Sequence, residues 1–286
     1  MLNKVKSRPA GKTMKLLSVL ITSVVMLASC DKNDKTKDQQ NKSSIILVHG
    51  AGHGSWSWSK IIPLMQAKKI KTIVIDLPGS SNDTTKLFNH SFADDAEAIK
   101  NIADSVEGKV ILAGHSSDGV AIAQASELIG KDKVEKLVFL DAFMPKNGES
   151  VQDLVEKAIR NNNTPDTATV PIMLFTSNFK AFQWNPANVA QNFYHDCTPA
   201  DISFAMANLT WQSTASVGTP AQLSDSVYGS IPKYYILCTK SFDLDKSSIA
   251  NNVPIKKLFK LPSSHSPFFS MPEKLVDVFQ EIYRLK

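Results

Sequence analysis

Short apolar runs and longer amphipathic stretches take turns along much of this chain. Ile45 to Val48, Thr72 to Ile75, Val110 to Ala113 and Leu137 to Leu140 are compact runs of largely aliphatic and β-branched residues. Each has the length of a strand, and the lack of polar alternation predicts burial on both faces. Between them the spacing becomes helical, over Trp56 to Ala67, from Ser91 to about Val106, and from Val120 to Ile129. Ser91 is a capping residue, and Asp94 and Asp95 fall in the first turn behind it, where the helix dipole favours negative charge. Strands separated by helices in this way predict an α/β fold, a mostly parallel sheet with helices on both faces. Ligands of such sheets bind beyond the carboxyl ends of the strands.

From Met144 to about Ser230 the rhythm breaks. Asn161-Asn162-Asn163, scattered prolines and weakly periodic segments take over, carrying Phe175, Phe179, Phe182, Trp184, Phe193, Tyr194 and Trp211. Residues 145–230 are therefore expected to form a cap inserted over the sheet edge. Its aromatic residues either line an apolar pocket or pack the cap onto the core. The regular pattern returns with Tyr234 to Leu237, Lys257 to Leu261 and a final helix from about Pro272 to Tyr283.

The first 29 residues stand apart. Lys4, Lys6, Arg8, Lys12 and Lys15 lead into the apolar run Leu16 to Leu27, which is too short to span a membrane as a stable helix. Leu27-Ala28-Ser29-Cys30 closes the run and resembles a bacterial lipobox. On that reading residues 1–29 are a signal peptide and Cys30 becomes the lipidated first residue of the mature chain. An ordinary signal peptide or a short membrane anchor is the competing reading. Residues 30–43 are polar and charged without apolar periodicity, a flexible tether that would hold the body at 44–286 off the membrane. The expected location is the bacterial cell envelope outside the cytoplasm, with the membrane as a partner through Cys30.

Charge changes with that address. The chain has 32 basic and 27 acidic residues, but five basic and no acidic ones lie in the signal segment, which leaves 27 of each sign. A neutral body gives no electrostatic reason to expect nucleic acid as a partner. Cys197 and Cys238 are the other cysteines. A bridge between them is permitted outside the cytoplasm, but Cys238 closes an apolar strand and reads better as a buried small hydrophobe. No cysteine–histidine spacing suggests a metal site.

Candidate chemistry begins at Gly114-His115-Ser116-Ser117-Asp118-Gly119, directly behind the apolar run that ends at Ala113. A strand entering a small-residue turn with a serine at its apex, followed by a helix, is a nucleophile elbow. The motif departs from G-x-S-x-G at Asp118, which stands where the second glycine belongs. An aspartate there should push the helix slightly or turn outward, and its charge would oppose an oxyanion nearby unless it is paired or caps the helix. Ser116 is the candidate nucleophile. His265, in the loop Leu261 to Pro267 after the last strand, is the candidate base, since the chain order serine, acid, histidine places it there. Among the six histidines, His90 and His195 lie in polar segments and His115 beside the nucleophile reads as structural. Oxyanion donors are expected from the N–H of Ser117 and, in the loop His49 to Gly54, from that of Ala51. A phosphate cradle in that loop is disfavoured, because no G-x-G-x-x-G or G-K-[ST] is present.

Taken in order, His49-Gly50-Ala51-Gly52-His53-Gly54-Ser55-Trp56-Ser57-Trp58, Asp76-Leu77-Pro78-Gly79, the elbow, Val138 to Pro145 and His265 to Ser270 resemble one branch of the α/β-hydrolase superfamily. It is the branch of methyl-salicylate-type plant esterases, hydroxynitrile lyases and bacterial relatives. The resemblance spans about residues 44–286 and is weakest through the cap. It implies an α/β-hydrolase fold, roles for Ser116, His265, Ala51 and Ser117 as above, and no cofactor. The lyases of the branch carry a threonine after the first-strand histidine and a lysine straight after the catalytic histidine. Here those places hold Gly50 and Ser266, so the resemblance implies hydrolysis.

The family's usual acid position, after the strand Tyr234 to Leu237, matches Ser241 in this chain. Two carboxylates can substitute. Asp141 ends the strand beside the elbow strand, an acid position known elsewhere in the superfamily, and is preferred; Asp243 lies two residues past the vacated place and is the fallback. A third reading has no working acid. The function expected is therefore a serine hydrolase, a carboxylesterase of small apolar or aromatic esters acting through an acyl-enzyme on Ser116. Amide or lactone hydrolysis would use the same machinery. The alternative is a catalytically impaired protein of the same fold that binds a small apolar ligand, motivated by Asp118 and Ser241.

Overall fold

The computed structural model describes residues 43–162 and 172–286. The expected signal peptide at 1–29, Cys30, the expected tether as far as residue 42 and Asn163 lie outside the described residues. Ten strands are described: β1 (Ser44–Val48), β2 (Thr72–Ile75), β3 (Ser80–Ser81), β4 (Val110–His115), β5 (Val134–Leu140), β6 (Met173–Phe175), β7 (Ala181–Trp184), β8 (Trp211–Ser213), β9 (Lys233–Cys238) and β10 (Lys257–Leu261). Six of them form one sheet in the order β10-β9-β5-β4-β1-β2, and every pairing in it is parallel.

Side chains alternate between the two faces, as strand geometry requires. Ile46, Val48, Leu112, Leu137, Phe139 and Tyr235 join one apolar cluster, while Ile45, Leu47, Ile111, Val138, Leu140 and Ile236 join the other. The helices α1 (Ile61–Ala67), α2 (Phe92–Ser105), α3 (Gly119–Ile129) and α9 (Pro272–Arg284) divide between those faces. Phe92, Ile99 and Val120 of α2 and α3 cover the first; Ile61, Met65, Leu275 and Phe279 of α1 and α9 cover the second. The doubly wound sheet expected from the sequence is present. From β1 the chain moves outward to β2, then returns to the opposite side of β1 to make β4. Loops leaving β1 and β4 therefore diverge at their carboxyl ends, the switch point where such sheets hold ligands.

Between β5 and β9 lie α4 (Val151–Asn162), α5 (Pro186–Tyr194), α6 (Pro199–Asn208) and α7 (Ala215–Gly218), together with a second, antiparallel sheet of order β3-β8-β7-β6. That sheet recruits Ser80 and Ser81 from the far side of the chain, pairing them with Gln212 and Trp211. Among the described residues no helix is long and apolar enough to cross a membrane. A short α8 (Pro267–Ser270) leads into α9.

One expected helix is divided. Trp56 to Ala67 is a 3-10 turn over Ser55–Trp58 followed by α1 from Ile61. Pro63 explains the break: without an N–H it is tolerated only in a first turn, so a helix starting at Trp56 would have carried it in the interior. The start of α2 is as expected, with the N–H and Oγ of Ser91 donating to Asp94 Oδ2 at 2.8 and 2.9 Å. Asp95 does something else. It is buried and accepts the Gly79 N–H at 3.0 Å. A Cβ on Gly79 would stand 2.7 Å from Asp95 Oδ2, so only glycine fits there. Burial pushes the Asp95 carboxyl up to about 7, with the nearby Asp94 charge adding to it and the Gly79 N–H opposing.

α3 packs against the sheet through Gly119. A Cβ at that position would lie 2.2 Å from the Phe143 carbonyl oxygen and 3.0 Å from Ala142 Cβ. The close approach expected of a glycine at 118 is thus made one residue later, and α3 seats without being displaced.

Two outcomes follow from this packing. Gly119→Ala forces a methyl against backbone and should lower stability by about 3 kcal/mol or more, read as a fall in the urea midpoint. Asp95 binds a proton more readily folded than unfolded, so its contribution is full below about pH 4 and is lost as pH rises towards 7. Between those pH values the Tm of Asp95→Asn, measured against wild type, should become more positive by roughly 5 °C.

Candidate active site

Five loops meet at the carboxyl edge of the main sheet, after β1, β4, β5, β9 and β10. Ser116 follows β4 with φ +57°, a left-handed backbone in a residue with a side chain. Such geometry costs about 1–3 kcal/mol and is the strain that lifts a nucleophile out of a strand-to-helix turn. The Phe143 N–H donates to the Ser116 carbonyl at 2.9 Å and fixes the turn from the neighbouring loop. His265 Nε2 lies 2.9 Å from Ser116 Oγ, and His265 Nδ1 lies 2.6 Å from Asp141 Oδ2. Serine, imidazole and carboxylate form one continuous hydrogen-bonded line, buried along its length.

Of the two candidate acids, Asp141 is the one within hydrogen-bonding distance of the ring. Asp243 Oδ2 stands 3.8 Å from His265 Nδ1. Asp141 is itself strained, at φ +43°, and is held by many bonds. Its N–H donates to Ile236 O at 2.7 Å, Oδ1 accepts from Cys238 N–H at 3.1 Å, and Oδ2 accepts from Ser241 Oγ at 2.9 Å and Lys246 Nζ at 3.2 Å. Ser241, matched in the sequence to the family's usual acid position, thus props the preferred carboxylate. Burial pushes the Asp141 carboxyl up, but the Lys246 charge, the imidazole and the Cys238 N–H outweigh it and hold the group down at about 2. Lys246 is fully buried and also donates to Asp243 Oδ2 at 2.6 Å. Burial favours the neutral amine, yet the two carboxylates win and hold it protonated. Ligand atoms of Asp141, Asp243 and His265 lie within 4.8 Å of one another, the spacing of a cation site. The ammonium of Lys246 stands among them.

Three of the other histidines are fasteners. His49 Nε2 accepts the Leu77 N–H at 3.0 Å, and His115 Nε2 reaches the His265 carbonyl at 2.9 Å, tying the base's loop to the elbow. His53 contacts Tyr194 OH at 2.5 Å and the Ala51 carbonyl at 2.9 Å. Burial lowers all three rings, His53 to about 3, so each stays neutral.

Of the two expected oxyanion donors, Ala51 faces the elbow and Ser117 is part of it. Ser117 is the second residue of its turn, where a backbone N–H has no acceptor within the helix. The Ala51 N–H donates to Ser117 Oγ at 2.9 Å, and the Ala51 carbonyl accepts Trp184 Nε1 at 2.7 Å. The loop after β1 is therefore tied to the elbow on one side and to β7 on the other. Phe193 lies 5.2 Å from the His265 ring and meets Trp184 edge-on at 4.7 Å. Phe175 and Phe179 are exposed, and Phe182 and Tyr194 pack inward.

Asp118 neither displaces α3 nor turns outward. It is buried, and Ser117 Oγ donates to its Oδ2 at 2.8 Å. Burial, with Asp95 nearby, pushes its carboxyl well above the usual range against the pull of that hydroxyl. Burial therefore disfavours a full negative charge beside the oxyanion donors. Cys197 and Cys238 are unbridged, and Cys238 is buried. Lys246 and the ties made by Trp184 and His115 were not visible in the sequence, where nothing local marks them.

Known proteins resemble this chain along most of its length. The model described as "Alpha/beta hydrolase family" matches residues 45–278. The chain is 28% identical over 261 residues to putative methylesterase 11, chloroplastic, of Arabidopsis thaliana, covering 87% of this chain and 66% of that protein. It is 28% identical over 256 residues to salicylic acid-binding protein 2 of Nicotiana tabacum, covering 83% and 95%. The crystal structure of polyneuridine aldehyde esterase shares the fold, with a TM-score of 0.74 at 23% identity over 84% of this chain and 99% of that one. Of three chloroplastic methylesterases the chain spans 66%, 59% and 60% of the length.

Proposed function

The chain belongs to the alpha/beta hydrolase family, and from that premise we propose that it is a serine esterase of small apolar or aromatic carboxylic esters. The observation that carries the reading is the unbroken line from Ser116 Oγ through His265 to Asp141, at 2.9 and 2.6 Å. In the first half-reaction Ser116 Oγ attacks the ester carbonyl while His265 Nε2 takes its proton. The Asp141 carboxylate, kept ionised by its surroundings, holds the Nδ1–H tautomer and stabilises the imidazolium. The N–H groups of Ala51 and Ser117 receive the tetrahedral oxygen, Ala51 exchanging Ser117 Oγ for it. His265 then protonates the leaving alcohol, and water, activated by the same ring, releases the acid from Ser116.

Ester substrates are named in several of the relatives, methylesterases among them. The aromatic pair Phe193 and Trp184 beside His265 supports an apolar acyl or alcohol group. Hydrolysis is favoured over lyase chemistry because a Cβ at Gly50 would come within 2.8 Å of Ser116 Cβ, leaving a threonine no room. The two grounds for a binding-only protein lose their weight. Ser241 donates to Asp141, and burial disfavours a charge on Asp118.

Short-chain p-nitrophenyl esters should be turned over by the purified body, and a fluorophosphonate probe should label it. Ser116→Ala should abolish both; turnover that persists in that variant refutes the assignment. Asp141→Asn should reduce kcat by about four orders of magnitude, with a far smaller loss in Asp243→Asn. The reading also includes a lipid anchor at Cys30 and an envelope address. Cells fed radiolabelled palmitate should label the full chain and not Cys30→Ser.

A further inference from the structure

Two carboxylates, not one, face Nδ1 of the candidate base. Asp141 Oδ2 is 2.6 Å from it and Asp243 Oδ2 is 3.8 Å away. With both ionised and nothing else present, the ring would sit against two negative charges and hold a proton too firmly to accept the one from Ser116. Lys246 enters this group from the loop after β9. Its Nζ is 3.2 Å from Asp141 Oδ2, 2.6 Å from Asp243 Oδ2 and 3.5 Å from His265 Nδ1, and its side chain has no exposed surface. The ammonium also lies over the Phe143 ring, 5.8 Å from its centre. Burying a lysine is costly unless its charge is matched, and here the match is the pair of acids.

Other titratable groups around the ring contribute no formal charge. His53 and His115 are held neutral by burial, as are the Tyr235 hydroxyl and the Cys238 thiol. What remains is Asp141, Asp243 and Lys246, which together leave one net negative charge against the imidazole. That is the charge of a relay with a single acid.

We propose that Lys246 is a positioning residue that cancels the second carboxylate, so that His265 works against one net negative charge and is free to act as a base near neutral pH. The inference rests on the esterase reading and adds a residue to it. Asp243 in turn makes the burial of Lys246 tolerable, and Lys246 steadies the acid that the vacated place at Ser241 no longer supplies. The remaining oxygen of Asp243, Oδ1, is buried without a hydrogen-bond partner, so the hydrogen bond holding the second acid's side chain comes from the lysine.

The test is a charge-count series: wild type, Lys246→Met, Asp243→Asn and the double variant. Two readouts are followed against pH, kcat/KM on a p-nitrophenyl ester and the His265 ring by NMR of protein labelled with 15N-histidine. Lys246→Met should move the acid limb and the ring's titration midpoint up by about one pH unit or more. Asp243→Asn should move them down, and the double variant should return both to within about 0.3 unit of wild type, a threshold set well inside a one-charge shift. A lysine that only fills space would lower activity equally at every pH, leave the midpoint in place and gain nothing from Asp243→Asn; that pattern overturns the proposal. Should Lys246→Met fail to fold, Lys246→Gln, which keeps most of the volume and loses the charge, should raise the midpoint in the same way, and an unmoved midpoint overturns the proposal. Absence of Ser116-dependent turnover in wild type, with the NMR midpoints displaced as stated, would sink the esterase reading and leave the lysine's role standing.

Discussion

The hydrogen bond between His265 Nδ1 and Asp141 Oδ2, 2.6 Å long and closed to solvent, is the constraint that organises this site. An imidazole that must gain a full charge during each turnover needs an anion already waiting, because water cannot supply the compensation in a buried place. Keeping a carboxylate ionised there requires donors, and the protein provides them from three segments: the Cys238 N–H at the end of β9, Ser241 and Lys246 in the loop beyond, and the ring itself from the loop after β10. The left-handed backbone of both Ser116 and Asp141 is held against its cost by the same ties. Strain and burial are tolerated at the two ends of the relay because the sheet behind them is packed on both faces.

Adjacency of strands decides which acid serves. β5 and β9 are neighbours, so the residue that ends β5 lies beside the loop that leaves β9. A carboxylate from either element can reach the same ring. Relocating the acid from the second to the first leaves the receiving end of His265 in place and changes only the direction from which the charge arrives. The loop after β9 keeps its place in the arrangement by supplying donors.

Much of this was legible in the chain. Strand runs such as Thr72 to Ile75 and Lys257 to Leu261, the cap at Ser91 and the elbow are local patterns, and local patterns survive folding because burial periodicity and turn chemistry are properties of neighbouring residues. Pro63 shows that a further local sign was there to be used. Other features depend on which distant segments meet. Lys246 lies in an unremarkable polar stretch, Ser-Phe-Asp-Leu-Asp-Lys, and nothing within six residues says that its ammonium is enclosed. Asp118 looks like a surface charge until Ser117, Asp95 and the packing of α3 are known. The two-residue β3 carries no strand signal of its own and exists because Gln212 and Trp211 pair with it. Within the cap one helical period was there to be used, Val151, Leu154, Val155, Ala158 and Ile159 of α4, whereas in the other described parts the apolar spacing is divided between a small antiparallel sheet and shorter helices.

Ala51 joins two functions in one peptide unit. Its N–H faces the elbow through Ser117 Oγ, and its carbonyl is bonded to the indole of Trp184 on the second sheet. The group that would steady a forming oxyanion is thus suspended from Trp184, whose indole packs against Phe193, the ring beside His265. Substrate selection and rate are mechanically joined here, so libraries that recarve the region from Ala181 to Tyr194 to admit a new ester also re-aim a donor, and KM and kcat will drift together among the survivors.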